Sequence, residues 1–200
     1  MKKRSVLLVF FFFILMQGKA QVFSKVLYDS VAEGSLNGCF IDEDGGYVFE
    51  GFFSPPSDYD YFIMKTTTTG QPVWMKRSLS NSGPFLKSGI KTHDGGFAFV
   101  GEGIEPYYIT TVAFVKTDSL GMEQAVRDYW IDEYTASQGI QLLQDASGNF
   151  YLLNVGGITD DCFSIIKLDS LGNFLTQKSY CGYLSSGEPC SFIRTADGGL

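Results

Sequence analysis

The sequence predicts an all-β protein in which a four-stranded unit recurs about every 51 residues. Three observations lead there. The turn Asp44-Gly45-Gly46 before Tyr47 returns as Asp94-Gly95-Gly96 before Phe97, loosely as Ser147-Gly148-Asn149 before Phe150, and as Asp197-Gly198-Gly199 before Leu200, at steps of 50, 53 and 50 residues. A second marker, Lys65 followed by Gly70, returns as Lys116 with Gly121 and Lys167 with Gly172, at steps of 51 and 51. The composition agrees: 23 Gly beside 18 Phe and 11 Tyr, with only 18% charged residues, suits short strands joined by tight turns.

Before the repeats, residues 1–20 read as a secretory signal peptide. Lys2, Lys3 and Arg4 form a basic start, and Val6 to Met16 is an apolar run of 11 residues, short of the roughly 20 a spanning helix needs. Gly18 and Ala20 place small residues at −3 and −1 of a cut before Gln21. The residues near that cut include no Cys, which argues against a lipoprotein. No later segment is apolar and long enough to insert the mature chain into a membrane.

Each unit then reads as strands a to d. In the first, strand a covers Gly38 to Asp42, b Tyr47 to Phe53, c Tyr61 to Thr66 and d Pro72 to Ser78. The second has a at Ser88 to Thr92, b at Phe97 to Gly101, c at Thr111 to Thr117 and d at Glu123 to Tyr129. The third has a at Gly139 to Gln144, b at Phe150 to Val155, c at Cys162 to Leu168 and d at Phe174 to Tyr180. The units thus span about 35–79, 86–131 and 136–183, and Phe192 to Thr195 opens a fourth at 188–200. Asp-Gly and Gly-Gly suit the positive φ of a two-residue hairpin between a and b. Asp118-Ser-Leu-Gly121 and Asp169-Ser-Leu-Gly172 predict c–d turns capped by the Asp carboxylate and closed by the Gly, with Thr67 to Gly70 doing the same in the first unit.

Strands b and c are apolar at nearly every position, as in Phe97 to Val100 and Phe163 to Ile166. That predicts sheets covered on both faces. Four-stranded antiparallel sheets of this period, stacked face to face, describe the blades of a β-propeller, here about three blades. Val22 to Ser30 resembles a strand d without its own a, b or c, which fits a strand that closes the ring from the N-terminal side. Because the sequence stops inside a hairpin, a longer chain is expected.

The pattern Asp-Gly-Gly-aromatic, an apolar strand ending in Lys, then Asp-Ser-x-Gly and an aromatic last strand resembles the secreted propeller-like repeat proteins abundant in Bacteroidetes-type bacteria. The resemblance is carried by Asp44 to Tyr47, Tyr61 to Lys65 with Trp74 and Lys76, Asp94 to Phe97, Val115 to Gly121 and Ile165 to Gly172. It spans Val22 to Leu200. The third unit departs by lacking Asp-Gly-Gly, and only the first keeps a Trp in strand d. The resemblance implies a secreted or cell-surface location, and such proteins often carry a C-terminal sorting domain for type IX secretion.

Charge narrows the function classes. The net charge is −7, and removal of residues 1–20 takes away four basic and no acidic residues, leaving −11. This is the opposite of a nucleic-acid-binding footprint. The four cysteines, Cys39, Cys162, Cys181 and Cys190, have no CxxC spacing, and His93 is the only histidine, so neither a zinc site nor another cofactor is predicted. In an exported chain they allow three disulfide pairings, with a local Cys181–Cys190 staple the shortest. No catalytic set is evident, since His93 stands beside a turn and no Ser or Cys nucleophile has a base near it in sequence.

The b–c connections hold the candidate binding residues: Asp58, Tyr59, Asp60, Tyr107, Tyr108, Asp160 and Asp161. Repeat connections fall on one rim, where tyrosines beside carboxylates suit an extracellular glycan or protein, or a hard cation. The expected function is a non-catalytic scaffold for binding or display. The alternatives are a carbohydrate- or polymer-acting hydrolase or lyase using Asp58, Asp60, Asp160 or Asp161 as paired acids, and a spacer module of a larger adhesin. The repeated Lys65, Lys116 and Lys167 are expected at the sheet edge, pairing with acids of the next unit.

Overall fold

A computed structural model describes residues 33–54, 60–78, 83–104, 110–130, 138–156, 162–182 and 191–195. They contain twelve strands and no helix. The strands are β1 (Glu33–Ile41), β2 (Tyr47–Ser54), β3 (Asp60–Thr66), β4 (Pro72–Arg77), β5 (Phe85–Lys91), β6 (Phe97–Ile104), β7 (Thr110–Thr117), β8 (Glu123–Tyr129), β9 (Gln138–Gln144), β10 (Phe150–Val155), β11 (Cys162–Leu168) and β12 (Phe174–Cys181). They form three four-stranded antiparallel sheets in sequence order, β1–β4, β5–β8 and β9–β12. The segments expected to be a signal peptide, 1–20, and a closing strand, 22–30, lie outside the described residues.

All twelve strands fall where the repeat puts them, but the first strand of a unit starts earlier than expected. β1 begins at Glu33 and β5 at Phe85, ahead of Gly38 and Ser88. The reason is a bulge in each first strand, at Asn37, Lys87 and Ile140, where the register slips against the second strand. A bulge breaks the alternation on which strand recognition depends.

The a–b turns are not two-residue hairpins. The Gly45 N–H donates to Asp42 O at 2.9 Å and Asp42 N–H to Gly46 O at 2.9 Å, so the turn is longer and only its first glycine, Gly45 (φ 79°), is left-handed. The same two bonds recur at Thr92, Asp145, Thr67, Asp118 and Asp169, so all six turns share one geometry. The carboxylate cap is as expected: Asp118 Oδ1 accepts from the N–H of Leu120 (2.8 Å) and Met122 (2.9 Å), and Asp169 and Thr67 act alike. The third a–b turn, which lacks Asp-Gly-Gly, is capped by Asp145, accepting from Ser147 and Asn149 at 2.9 Å each.

The sheets stack face to face along the chain. β1 and β2 pack on β5, and β5, β6 and β7 pack on β9, while the first and third sheets share no comparable contact among the described residues. One apolar cluster, including Val48, Ile63, Phe97 and Phe99, lies between the first two sheets; a second, including Phe114, Phe150, Leu152 and Ile166, lies between the last two. The central sheet is covered on both faces: Phe97 to Val100 and Val112 to Val115 are wholly buried. The third sheet is not. β11 alternates between buried and half-buried positions, so Phe163 to Ile166 have one covered face rather than two.

Where two sheets meet, a turn glycine of one receives an aromatic side chain of the one before. A Cβ on Gly121 would stand 2.7 Å from the Trp74 ring, and one on Gly172 2.8 Å from the Phe114 ring. Both glycines also have positive φ, 75° and 82°. Backbone conformation and close approach therefore demand glycine at the same positions. The phenol of Tyr129 donates to Gly172 O across the same seam.

Candidate functional site

Of the seven candidate residues, only Asp60 lies among the described residues; Asp58, Tyr59, Tyr107, Tyr108, Asp160 and Asp161 fall outside them. The strands nevertheless fix where their connections are rooted. In each sheet the second–third strand connection leaves from one end, between Ser54 and Asp60, Ile104 and Thr110, and Gly156 and Cys162.

Asp60 opens β3, and its largely buried carboxylate (14% exposed) accepts a hydrogen bond from Arg77 Nε on β4 at 2.8 Å. The Arg77 guanidinium also lies 4.9 Å from the centre of the Phe53 ring. Asp60 is thus engaged in holding the loop root. The matching corner of the second sheet joins Thr111 Oγ1, as donor, to Asp128 Oδ1 at 3.2 Å. In the third sheet the directly paired Cys162 and Cys181 form a disulfide. An ion pair, a neutral–charged hydrogen bond and a covalent bond lock the same corner of three successive sheets. The Cys162–Cys181 bond also settles one end of the expected Cys181–Cys190 staple, which is absent because Cys181 pairs with its cross-strand neighbour. Cys39 is a free, exposed thiol, and Cys190 lies outside the described residues.

At the opposite end, the repeated lysines pair within their own sheet, correcting the expectation that they reach the next one. Lys65 bonds Asp42 and lies 2.7 Å from Asp44, both in its own a–b turn. Lys116 bonds Asp94 at 2.5 Å. Lys167 has no turn acid at the corresponding position, Ser147, and its ammonium sits 5.1 Å from the centre of the Tyr151 ring. Other lysines cross between sheets: Lys91 lies 3.2 Å from Asp42, and Lys87 donates to Gln138 Oε1 of the third sheet. Burial opposes ionisation of Asp94, but the Lys116 ammonium, the Thr92 hydroxyl and the Gly96 N–H outweigh it and hold its carboxyl at about 2. The same contest leaves Asp42 below the usual carboxylate range, through Lys65, the Glu43 N–H and Lys91.

Glu50 is the charge sequence reading missed. It is 1% exposed, and its Oε2 has no hydrogen-bond partner. It sits on β2 opposite Gly38, where a Cβ would come within 2.1 Å of Glu50 Oε1. Desolvation raises its carboxyl from an ordinary value near 4.5 to about 7. The signal was a lone carboxylate in the apolar strand Tyr47-Val-Phe-Glu-Gly-Phe-Phe. Tyr61 on the same face donates its phenol to Glu123 of the second sheet, and burial pushes that phenol up.

His93 is exposed in its turn, with its N–H donating to Gln144 Oε1 at 2.8 Å. Among the described residues no three His, Cys, Asp or Glu side chains gather to hold a metal ion, and no helix is long and apolar enough to cross a membrane. A cleft of about 610 Å³ opens on the uncovered face of the third sheet, beside Tyr151, Ile165, Lys167, Lys178, Tyr180 and Arg194. No known protein-family model matches the chain, and no curated protein matches it significantly.

Proposed function

We propose that the three sheets are blades of an exported β-propeller, and that this protein is a non-catalytic scaffold for binding or display outside the cell or at its surface. The observation that carries the reading is the common end of the sheets. Three equivalent connections, each rooted by its own cross-link at Asp60–Arg77, Thr111–Asp128 and Cys162–Cys181, emerge where the sequence concentrates tyrosines and carboxylates. Rigid sheets with variable loops at one end are a common way to build a recognition surface. The basic, apolar start of the sequence and its −11 charge after residue 20 support export as a soluble chain and argue against nucleic acid as a partner. The resemblance to Bacteroidetes-type repeat proteins supports the same address, including type IX secretion.

Binding to a panel of neutral and uronate-containing polysaccharides and to extracellular proteins tests this. Alanine at Asp58, Tyr59, Tyr107, Tyr108, Asp160 and Asp161 together is expected to abolish capture while leaving the folded β signal intact. Polymer cleavage that copurifies with the protein, and is lost when Asp58 or Asp160 is replaced, would overturn the scaffold reading in favour of a hydrolase or lyase.

A further inference from the structure

The face of the third sheet that carries the cleft is, position for position, a face that the other two sheets bury. Val48 and Ala98 are fully buried where Tyr151 is half-exposed. Ile63 and Phe114 are buried where Ile165 is half-exposed, and Tyr61 and Val112 where Phe163 is half-exposed. In the first two sheets the following sheet provides the cover, through second-strand side chains such as Phe97 and Phe150.

The contacts that introduce each following sheet also recur. Asn37 Nδ2 donates to Leu86 O at 2.7 Å, and Lys91 reaches Asp42, joining the first sheet to the second. His93 N–H donates to Gln144 Oε1, joining the second to the third. Residues 191–195 carry no assigned strand, yet they make the next such set. Gln141 and Phe192 exchange two hydrogen bonds, of 3.1 Å and 2.7 Å, and Arg194 Nη2 donates to Gln144 O at 2.8 Å. Arg194 stands in the repeat where Lys91 and Gln144 stand, and it borders the cleft.

We infer that the open face of the third sheet is a docking surface for a fourth sheet of the same kind, begun in this chain at Phe192. Its second strand would fill the cleft with alternate apolar side chains from Leu200 onward, the position held by Phe97 and Phe150 in the preceding units. The inference rests on the reading of the sheets as successive blades. The competing occupant is a second copy of the chain, offering the outer face of the first sheet, which is buried at Phe53, Phe62 and Met64 (5–9% exposed) but open at Leu36, Ile41 and Met75. The hydrogen bonds that residues 191–195 already make to β9 favour the chain's own next sheet. The cleft's own chemistry suits a covering sheet: Tyr151 and Tyr180 supply apolar bodies with polar tips, and Lys167 has Ser147 where Lys65 and Lys116 meet Asp44 and Asp94, leaving Asp145 as its turn acid.

The test is pulse acetylation of lysines read residue by residue by mass spectrometry. It compares the protein as its own cells make it with a chain ending at Leu200. Expected is labelling of Lys167 at least about tenfold slower in the cell-made protein, close to the rate of Lys116, with Lys65 and Lys116 equal in both. Ile165→Asp in the cell-made protein is expected to return Lys167 towards the fast rate without changing Lys65. Equal Lys167 rates in both proteins overturn the proposal. So does protection in the shorter chain that rises with concentration alongside a doubled mass, which would assign the face to a second copy. Ligand capture by the loop rim is measured separately, so this proposal fails without touching the proposed function, and the reverse.

Discussion

Replacing Glu50 by Gln isolates a single buried carboxyl. In the folded chain this group titrates at about 7, and in an unfolded chain near 4.5. Below the lower value both states hold the proton and the group contributes no pH dependence. Between the two values the folded state keeps a proton that the unfolded state releases, so stability falls as pH rises and the loss is complete above about 7. A gap of that size corresponds to roughly 3 kcal/mol. At 1% exposure, solvent screening takes little from it. Gln keeps the shape of the neutral acid and cannot ionise. The assay is urea unfolding of both chains at pH 4, 5.5 and 8, followed by the fluorescence of the two tryptophans. The stability of E50Q relative to the parent is expected to rise by about 3 kcal/mol between pH 4 and pH 8. Other carboxylates, among them Asp42 and Asp94, are held below their usual range and lose their contribution at acid pH, but they do so equally in both chains. Parallel stability curves for the two chains would refute the reasoning and mean that Glu50 ionises freely in the folded state.

Three further perturbations probe a loop root, a turn and a seam. Replacing Cys162 and Cys181 together by Ser is expected to cost about 3 kcal/mol in urea unfolding under oxidising conditions, from release of a loop of 19 residues, and nothing in reductant. Gly95→Ala is expected to cost only about 1 kcal/mol, since its φ of 84° is unfavourable but nothing lies within 4 Å of the added carbon. Gly121→Ala, at a similar φ, is expected to cost about 2 kcal/mol more because the methyl meets Trp74; equal costs in thermal melts would show that the seam yields.

The repeat made most of the fold legible. Two markers at one period located twelve strands and six turns, and the caps at Asp118 and Asp169 were written in the turn residues themselves. What escaped were features that depend on a neighbouring strand or sheet. The bulges at Asn37, Lys87 and Ile140 disturb alternation, so the first strands looked shorter than they are. The acids that meet Lys65 and Lys116 lie in their own turns, about 22 residues away, which spacing alone did not select. Exposure of one face of β11 depends on what stands beside it, so Phe163 to Ile166 read as fully covered. At the loop rim, Asp60 was picked for its charge, but its partner Arg77 comes from the next strand and turns it from a free contact group into part of the frame.

The three loop roots consequently answer to different surroundings. The Asp60–Arg77 pair weakens with ionic strength, the Thr111–Asp128 bond depends far less on it, and the Cys162–Cys181 bond yields only to a reductant. A change of salt or of redox medium therefore loosens one of these corners at a time and leaves the other two to hold their shape.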